Sequence, residues 1–219
     1  MEPYSSFGKV SNPLKNATPI NNSGINTLDE QAKSLTTPHS KYTVDTIGLA
    51  VFKNNKMVGT LSGIDTMCHL LVTNKFESCV IDIPSPINPN ETINLYLYSA
   101  EDTKNKVSII NGSPFVKTKV NVSAKLLSSN SDNEILTQEK LNIIEESANK
   151  YISEQLNNYF YKTSKLYNSD IAGIGRFAIK NFKTSQEWKD YNWHENYQNS
   201  VFKVDVELSL RTGILLTTE

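Results

Sequence analysis

The sequence predicts an α+β fold: a mixed, largely antiparallel β-sheet with one long amphipathic helix packed on it and two short helices. Three observations predict it. Val116, Thr118, Val120, Val122, Ala124 and Leu126 alternate strictly with Lys117, Lys119, Asn121, Ser123 and Lys125, so one face of this strand is buried and the other wet. Phe202, Val204, Val206, Leu208 and Leu210 alternate in the same way with Lys203, Asp205, Glu207, Ser209 and Arg211. Between the two, residues 138–166 carry an apolar stripe of helical period: Leu141, Ile144, Ala148, Ile152, Leu156, Tyr159 and Leu166, widened by Ile143, Tyr151 and Phe160.

Residues 1–42 are rich in Asn, Ser, Thr and Pro and lack sustained periodicity apart from a short helical stretch, Thr27–Lys33. They read as a linker or the remnant of a preceding domain, and residues 43–219 as the folded domain. Thr43–Lys53 reads as a strand, and Asn54-Asn55-Lys56 as the turn into a second strand, Met57–Leu61. His69–Thr73 and Ser78–Ile83 read as a second hairpin turning at Thr73–Lys75. Pro84, Pro86 and Pro89 break the pattern before a further strand, Thr92–Tyr98. Thr137 caps the long helix, which at 1.5 Å per residue spans roughly 40 Å. Ser169 or Asp170 caps the first short helix. Thr184-Ser185-Gln186-Glu187 is a capping box that opens the second, ahead of Trp188.

Composition excludes several function classes. With 38% hydrophobic and 21% charged residues, the chain is ordinary for a globular protein. A net charge of −1 gives no electrostatic reason to expect nucleic acid or an anionic membrane surface. No run of 18 apolar residues exists, and the first twenty residues lack the charged and apolar regions of a signal peptide. Two cysteines, Cys68 and Cys79, with three histidines, His39, His69 and His194, do not stand at zinc-ligand spacing. A Cys68–Cys79 bridge requires directly opposite pairing around Thr73-Asn74, and two buried free thiols are the preferred reading.

Each candidate site has a structural reading beside the chemical one. Gly173-Ile174-Gly175 resembles part of a dinucleotide fingerprint, but a helix precedes it and Ala178 takes the place of the third glycine; a helix-to-helix corner accounts for it. Trp188, Tyr191, Trp193 and His194 form either an aromatic ligand pocket or the closed end of a core. Ser62, Asp65 and His69 make a triad on paper only, without a nucleophile elbow. Glu145 and Glu146 point to different sectors of the helix and are not a carboxylate pair. No catalytic, cofactor or metal residue is therefore assigned.

Several segments in succession are similar to the carboxy-terminal domain of the Ger(x)C family, the lipoprotein C subunits of spore germinant receptors. They are Gly48–Lys53 with Lys56–Leu61, the strand and long helix, Asp170–Gly175, Trp188 with Trp193, and Phe202–Leu208 running into Arg211-Thr212-Gly213. The similarity covers roughly residues 44–216. The family carries an acidic Glu-Thr pair where this chain has Asp65-Thr66, so the carboxylate is kept but shortened. The resemblance implies further domains and a lipid-anchored cysteine ahead of this segment, at the outer face of the spore inner membrane. It implies assembly with A and B subunits into a nutrient receptor, without enzymatic activity or cofactor. The rival implied by the residues alone is a germinant-binding pocket near Trp188–His194.

Overall fold

The computed structural model describes residues 48–88, 90–129 and 137–211. The expected linker, the Thr27–Lys33 helix, the first residues of the Thr43–Lys53 strand and Thr212-Gly213 lie outside the described residues. Two strands, β1 (Leu49–Lys53) and β2 (Lys56–Leu61), form an antiparallel hairpin of their own. Asn54 and Asn55 both turn through positive φ, 48° and 63°, the geometry that matches the right-handed twist of the flanking strands.

The next element corrects the sequence reading. Residues 69–73 are not a strand but belong to helix α1 (Gly63–Thr73). Ser62 and Asp65 form a reciprocal capping box at its start, and Asn74, at φ 59°, ends it with its N–H on the carbonyls of Leu70 and Leu71. Met67, Cys68, Leu71 and Val72 recur at helical spacing and are buried. The supposed turn at Thr73–Lys75 is this C-cap. Cys68 therefore sits on a helix and Cys79 on a strand, and both are free thiols.

The main sheet has the order β3 (Ser78–Pro84), β4 (Thr92–Ile110), β5 (Ser113–Ser129) and β6 (Val201–Arg211). Its first three strands run antiparallel and β6 lies parallel to β5, so the sheet is mixed and mainly antiparallel. β4 is much longer than the expected Thr92–Tyr98 strand, and it turns into β5 through Asn111 and Gly112 at positive φ. Val116, Thr118, Val120, Val122 and Ala124 are buried on the inner face, as their alternation predicts. Ser123, expected to be wet, is buried on the outer face, where it stands opposite Tyr98 beneath stacked Tyr96 and Tyr98.

Helix α2 (Gln138–Tyr161) packs its stripe on the inner face of the sheet: Leu141, Ile144, Ala148, Ile152, Leu156, Tyr159 and Phe160 are buried. It continues as a π-turn, Lys162–Leu166. The wider turn rotates the chain off the stripe, which places Thr163 and Ser164 inside and leaves Leu166 60% exposed, against expectation. Ile143 lies beside the stripe rather than on it and is exposed too. Short pieces follow: α3 (Gly175–Ala178) with a 3₁₀ turn (Ile179–Asn181), α4 (Ser185–Tyr191), and α5 (Trp193–Asn196) with a 3₁₀ turn (Tyr197–Asn199). Where β3 ends, side chains cover the open edge of β4. Asn74 exchanges hydrogen bonds with the backbone of Thr103, and Asn181 donates to the carbonyl of Val107. The Asn105 side chain of β4 itself donates to the carbonyl of Val72 in α1.

Candidate functional site

The three residues of the paper triad are drawn into the scaffold. Ser62 Oγ donates to Asp65 Oδ2 at 2.8 Å and accepts from the Asp65 N–H, while Asp65 Oδ2 also accepts from the Ser62 N–H. The Lys162 ammonium, on the π-turn at the far end of α2, lies 2.9 and 2.7 Å from the two carboxylate oxygens. Asp65 is 4% exposed. This ion pair ties the start of α1 to the end of α2, which is the work the shortened carboxylate of Asp65-Thr66 performs here. His69 faces the other way, with Nδ1 2.9 Å from the Tyr159 hydroxyl. Burial, with Lys75 nearby, lowers the His69 pKa, and burial holds the Tyr159 hydroxyl well above its ordinary value. Ser62 and His69 are not brought together as nucleophile and base.

The glycine corner is likewise occupied by the protein itself. Asp170 accepts from the N–H groups of Ile174 and Gly175 at 2.8 and 2.7 Å, filling the place an anion would take at a helix start. Its Oδ2 also accepts from Trp193 Nε1 at 2.9 Å. Gly173 supplies φ +66°, and Gly175 allows the indole to come close, since a Cβ there would lie 2.7 Å from Trp193 Nε1. The sequence located this corner, but the helix N-cap is Ile174 rather than Ser169 or Asp170, and Asp170 reaches its N–H groups from four and five residues upstream. Nor did the sequence foresee that the same carboxylate would hold the tryptophan.

Trp188, Tyr191 and Trp193 do come together, around Phe182. Phe182 meets Trp188 edge-on at 5.3 Å and Tyr191 at 4.9 Å, and Trp188 stacks with Trp193 at 6.0 Å. Trp193 packs in turn on Tyr197, which is buried and hydrogen-bonded to Thr163. The rings are packed on one another, closing one end of the core, and His194 is exposed. Thr184 caps α4 through the Glu187 N–H, as expected, but Glu187 reaches back to the N–H of Lys183 rather than that of Thr184.

Glu145 and Glu146 diverge. Glu145 accepts from the N–H of Leu210 at 2.7 Å on the outer edge of β6. Glu146 lines an open groove of about 790 Å³ between α2 and β6, together with Asn149, Lys150, Ser153, Asp205 and Glu207. Among the described residues, no group of three or more His, Cys, Asp or Glu side chains is placed to hold a metal ion. No helix among the described residues is long and apolar enough to cross a membrane.

Fold and side-chain geometry together define an α+β module in which Ser62, Asp65, His69, Asp170 and Trp193 are hydrogen-bonded within the scaffold. Residues 47–213 match the family described as spore germination B3/GerAC like, C-terminal, and the chain belongs to that family. The crystal structure of the GerBC protein has the same fold, with a TM-score of 0.62 at 19% identity over 74% of this chain. The match covers 50% of that protein, so this chain spans about half its length. No curated protein matches the chain.

Proposed function

We propose that the chain is a non-enzymatic subunit of a spore nutrient germinant receptor, acting through contact with the A and B subunits of a complex tethered by lipid to the outer face of the spore inner membrane. Its membership of a spore germination family supports the setting. The observation that carries contact as the mode of action is the outward face of the β1–β2 hairpin. Phe52 and Met57 stand directly opposite each other there and are 56% and 50% exposed. The hairpin is fixed to the body of the domain by Ser169, which donates to the carbonyl of Phe52, and by Tyr167, whose hydroxyl donates to that of Thr60. The pair is thus an apolar anchor on a rigid mount, and burying the exposed half of each side chain against a partner is worth about 1–1.5 kcal/mol. Direct germinant sensing near Trp188–His194 draws no comparable support, because the indoles there are stacked on one another.

Affinity capture of the cognate A and B subunits by the wild-type chain, against a Phe52→Ser/Met57→Ser variant of unchanged melting temperature, tests the reading. Capture by the wild type and at least tenfold weaker capture by the variant are expected. Equal capture by both would remove the hairpin as the contact. Saturable thermal stabilisation by amino acids or sugars, with no capture of either subunit, would replace contact by direct sensing.

A further inference from the structure

The outer face of the sheet, opposite α2, carries an arrangement that the net charge of −1 conceals. Lys106, Lys117 and Lys203 stand directly opposite one another across β4, β5 and β6. Like charges directly opposite one another repel, so the sheet gains no stability from the row itself. Lys117 is answered diagonally by Asp205 at 3.0 Å, and in the adjoining row Lys119 is answered by Glu207 at 2.6 Å. Among the described residues, Lys104, Lys106 and Lys203 have no acidic partner and are exposed.

The same face becomes apolar toward the β4–β5 turn. Val201, beside Phe115, is 56% exposed, and Ile110, opposite Ser113, is 52% exposed. At about 3.3 Å per residue these side chains lie roughly 7 and 13 Å beyond the lysine row. A second patch of the same character adjoins this end. Asn181 donates to the carbonyl of Val107, and the Tyr191 hydroxyl to that of Gly112, holding residues 175–191 against the tip of β4. In that segment Ile179 is 49% exposed beside Arg176, Lys180 and Lys183, and with Lys189 these cations outnumber the acidic Glu187 and Asp190 on α4.

We infer that this end of the domain docks on an anionic phospholipid bilayer. Val201 lies beyond the belt of cations by a distance within the about 5–10 Å to which interfacial segments enter a membrane, and Ile110 at the tip lies a few Å further, while lysine stems extend along such a surface with their ammonium groups at phosphate level. The apolar residues belong to separate elements rather than one groove, which suits a fluid plane. The unanswered lysines supply the attraction, and the repulsion within their row is relieved when lipid phosphates neutralise it. This inference goes beyond the subunit reading, and its vesicle-binding readout is independent of any other subunit.

The test is co-sedimentation of the chain with vesicles of phosphatidylglycerol and phosphatidylcholine, against phosphatidylcholine alone. Binding only to the anionic vesicles is expected, falling steeply as ionic strength rises from about 0.1 to about 1 M and the screening length drops from about 10 to about 3 Å. Lys106→Glu and Lys203→Glu should each lower partitioning at least about fivefold, the weight of one cation at an anionic surface. Ile110→Ser/Val201→Ser should weaken it as well, whereas Lys56→Glu, on the separate hairpin, should leave it unchanged. The charge reversals also break up a like-charge row, so their melting temperatures should equal or exceed that of the wild type, and loss of binding will not reflect unfolding. Absence of binding to anionic vesicles, or equal binding by wild type and both lysine variants, would overturn the inference. Retained vesicle binding by those variants with loss of capture by a protein subunit would assign the face to an acidic protein surface instead.

Discussion

Replacing Lys162 by Met should destabilise the domain more than replacing Asp65 by Asn, although both break the same ion pair. The pair is lopsided: the Asp65 side chain is 5% exposed and that of Lys162 is 37% exposed. In Asp65→Asn the amide oxygen still accepts from the Ser62 N–H and keeps the cap, and the freed ammonium swings into water. The loss is then close to that of a partly exposed pair, about 1 kcal/mol. In Lys162→Met the apolar stem is retained, but a buried carboxylate is left with only the Ser62 donors, 3.0 and 2.8 Å away. Removing one partner of a buried pair costs about 3–5 kcal/mol, and partial access of water along the vacated lysine path puts this case near 3. At about 2–4 °C per kcal/mol for a domain of this size, Asp65→Asn should lower Tm by about 2–4 °C and Lys162→Met by about 6–12 °C. Calorimetry or denaturant melts read both directly. The double variant should recover most of the larger loss, since no charge then remains buried. Equal costs, or a larger cost for Asp65→Asn, would refute the claim that the stranded carboxylate sets the energy.

Two further outcomes follow from buried titratable groups. Burial pushes the Cys79 thiol up to about 12 and the Cys68 thiol higher still, so neither should react with a disulfide reagent at pH 8 until denaturant is added, when both should. A rapidly reacting thiol in the folded protein would contradict the burial of Cys68 and Cys79. His69 is held below its ordinary value of 6.5, so it binds fewer protons folded than unfolded. Its contribution to stability is complete above pH 6.5 and is lost as pH falls from there through the lower folded value. Tm measured from pH 7.5 down to 5 should therefore fall, and His69→Gln should flatten the slope; an unchanged slope would show that His69 is not the group responsible.

What the sequence revealed depended on which physical signal each segment carries. β5, β6 and α2 were legible because burial on one side writes a period directly into the residues, and a slip of one position would turn every apolar side chain outward. α1 was misread from its C-terminal half, where His69-Leu70-Leu71-Val72-Thr73 reads as a short apolar run equally suited to a strand. The deciding signal lay upstream. Ser62 with Asp65 three residues later is a capping box, and Ile64, Cys68 and Leu71 continue at helical spacing. The far half of β4 also had a signal, the alternation of Thr103, Asn105, Val107 and Ile109 with Lys104, Lys106 and Ser108. The partners across long distances had none: nothing local marks Lys162 as the counter-ion of Asp65, 97 residues away, or Asp170 as the acceptor for Trp193.

Charge makes the same point at the scale of a surface. A sum over the sequence treats Lys106, Lys117 and Lys203 as cations diluted by acids elsewhere, and by that sum the chain has no preference for an anionic surface. Strand register places them side by side, and it does so because each is an outward residue of a strand whose inward neighbours, Val107, Val116 and Phe202, pack in the core. The core therefore fixes where the cations stand. Shifting β6 by two residues would keep its apolar face inward while setting Asp205 opposite Lys117, a register that offers a direct ion pair in the row. The observed register instead leaves Lys203 facing two lysines, with Phe160 stacked on Phe202 at 4.4 Å beneath it. Packing of that ring pair, worth about 0.5–1.5 kcal/mol beyond its buried area, outweighs the repulsion of exposed lysines in water, which is a few tenths of a kcal/mol per pair. The fold thus tolerates a cationic row at small cost, and that tolerance leaves the row available for a partner that neutralises it.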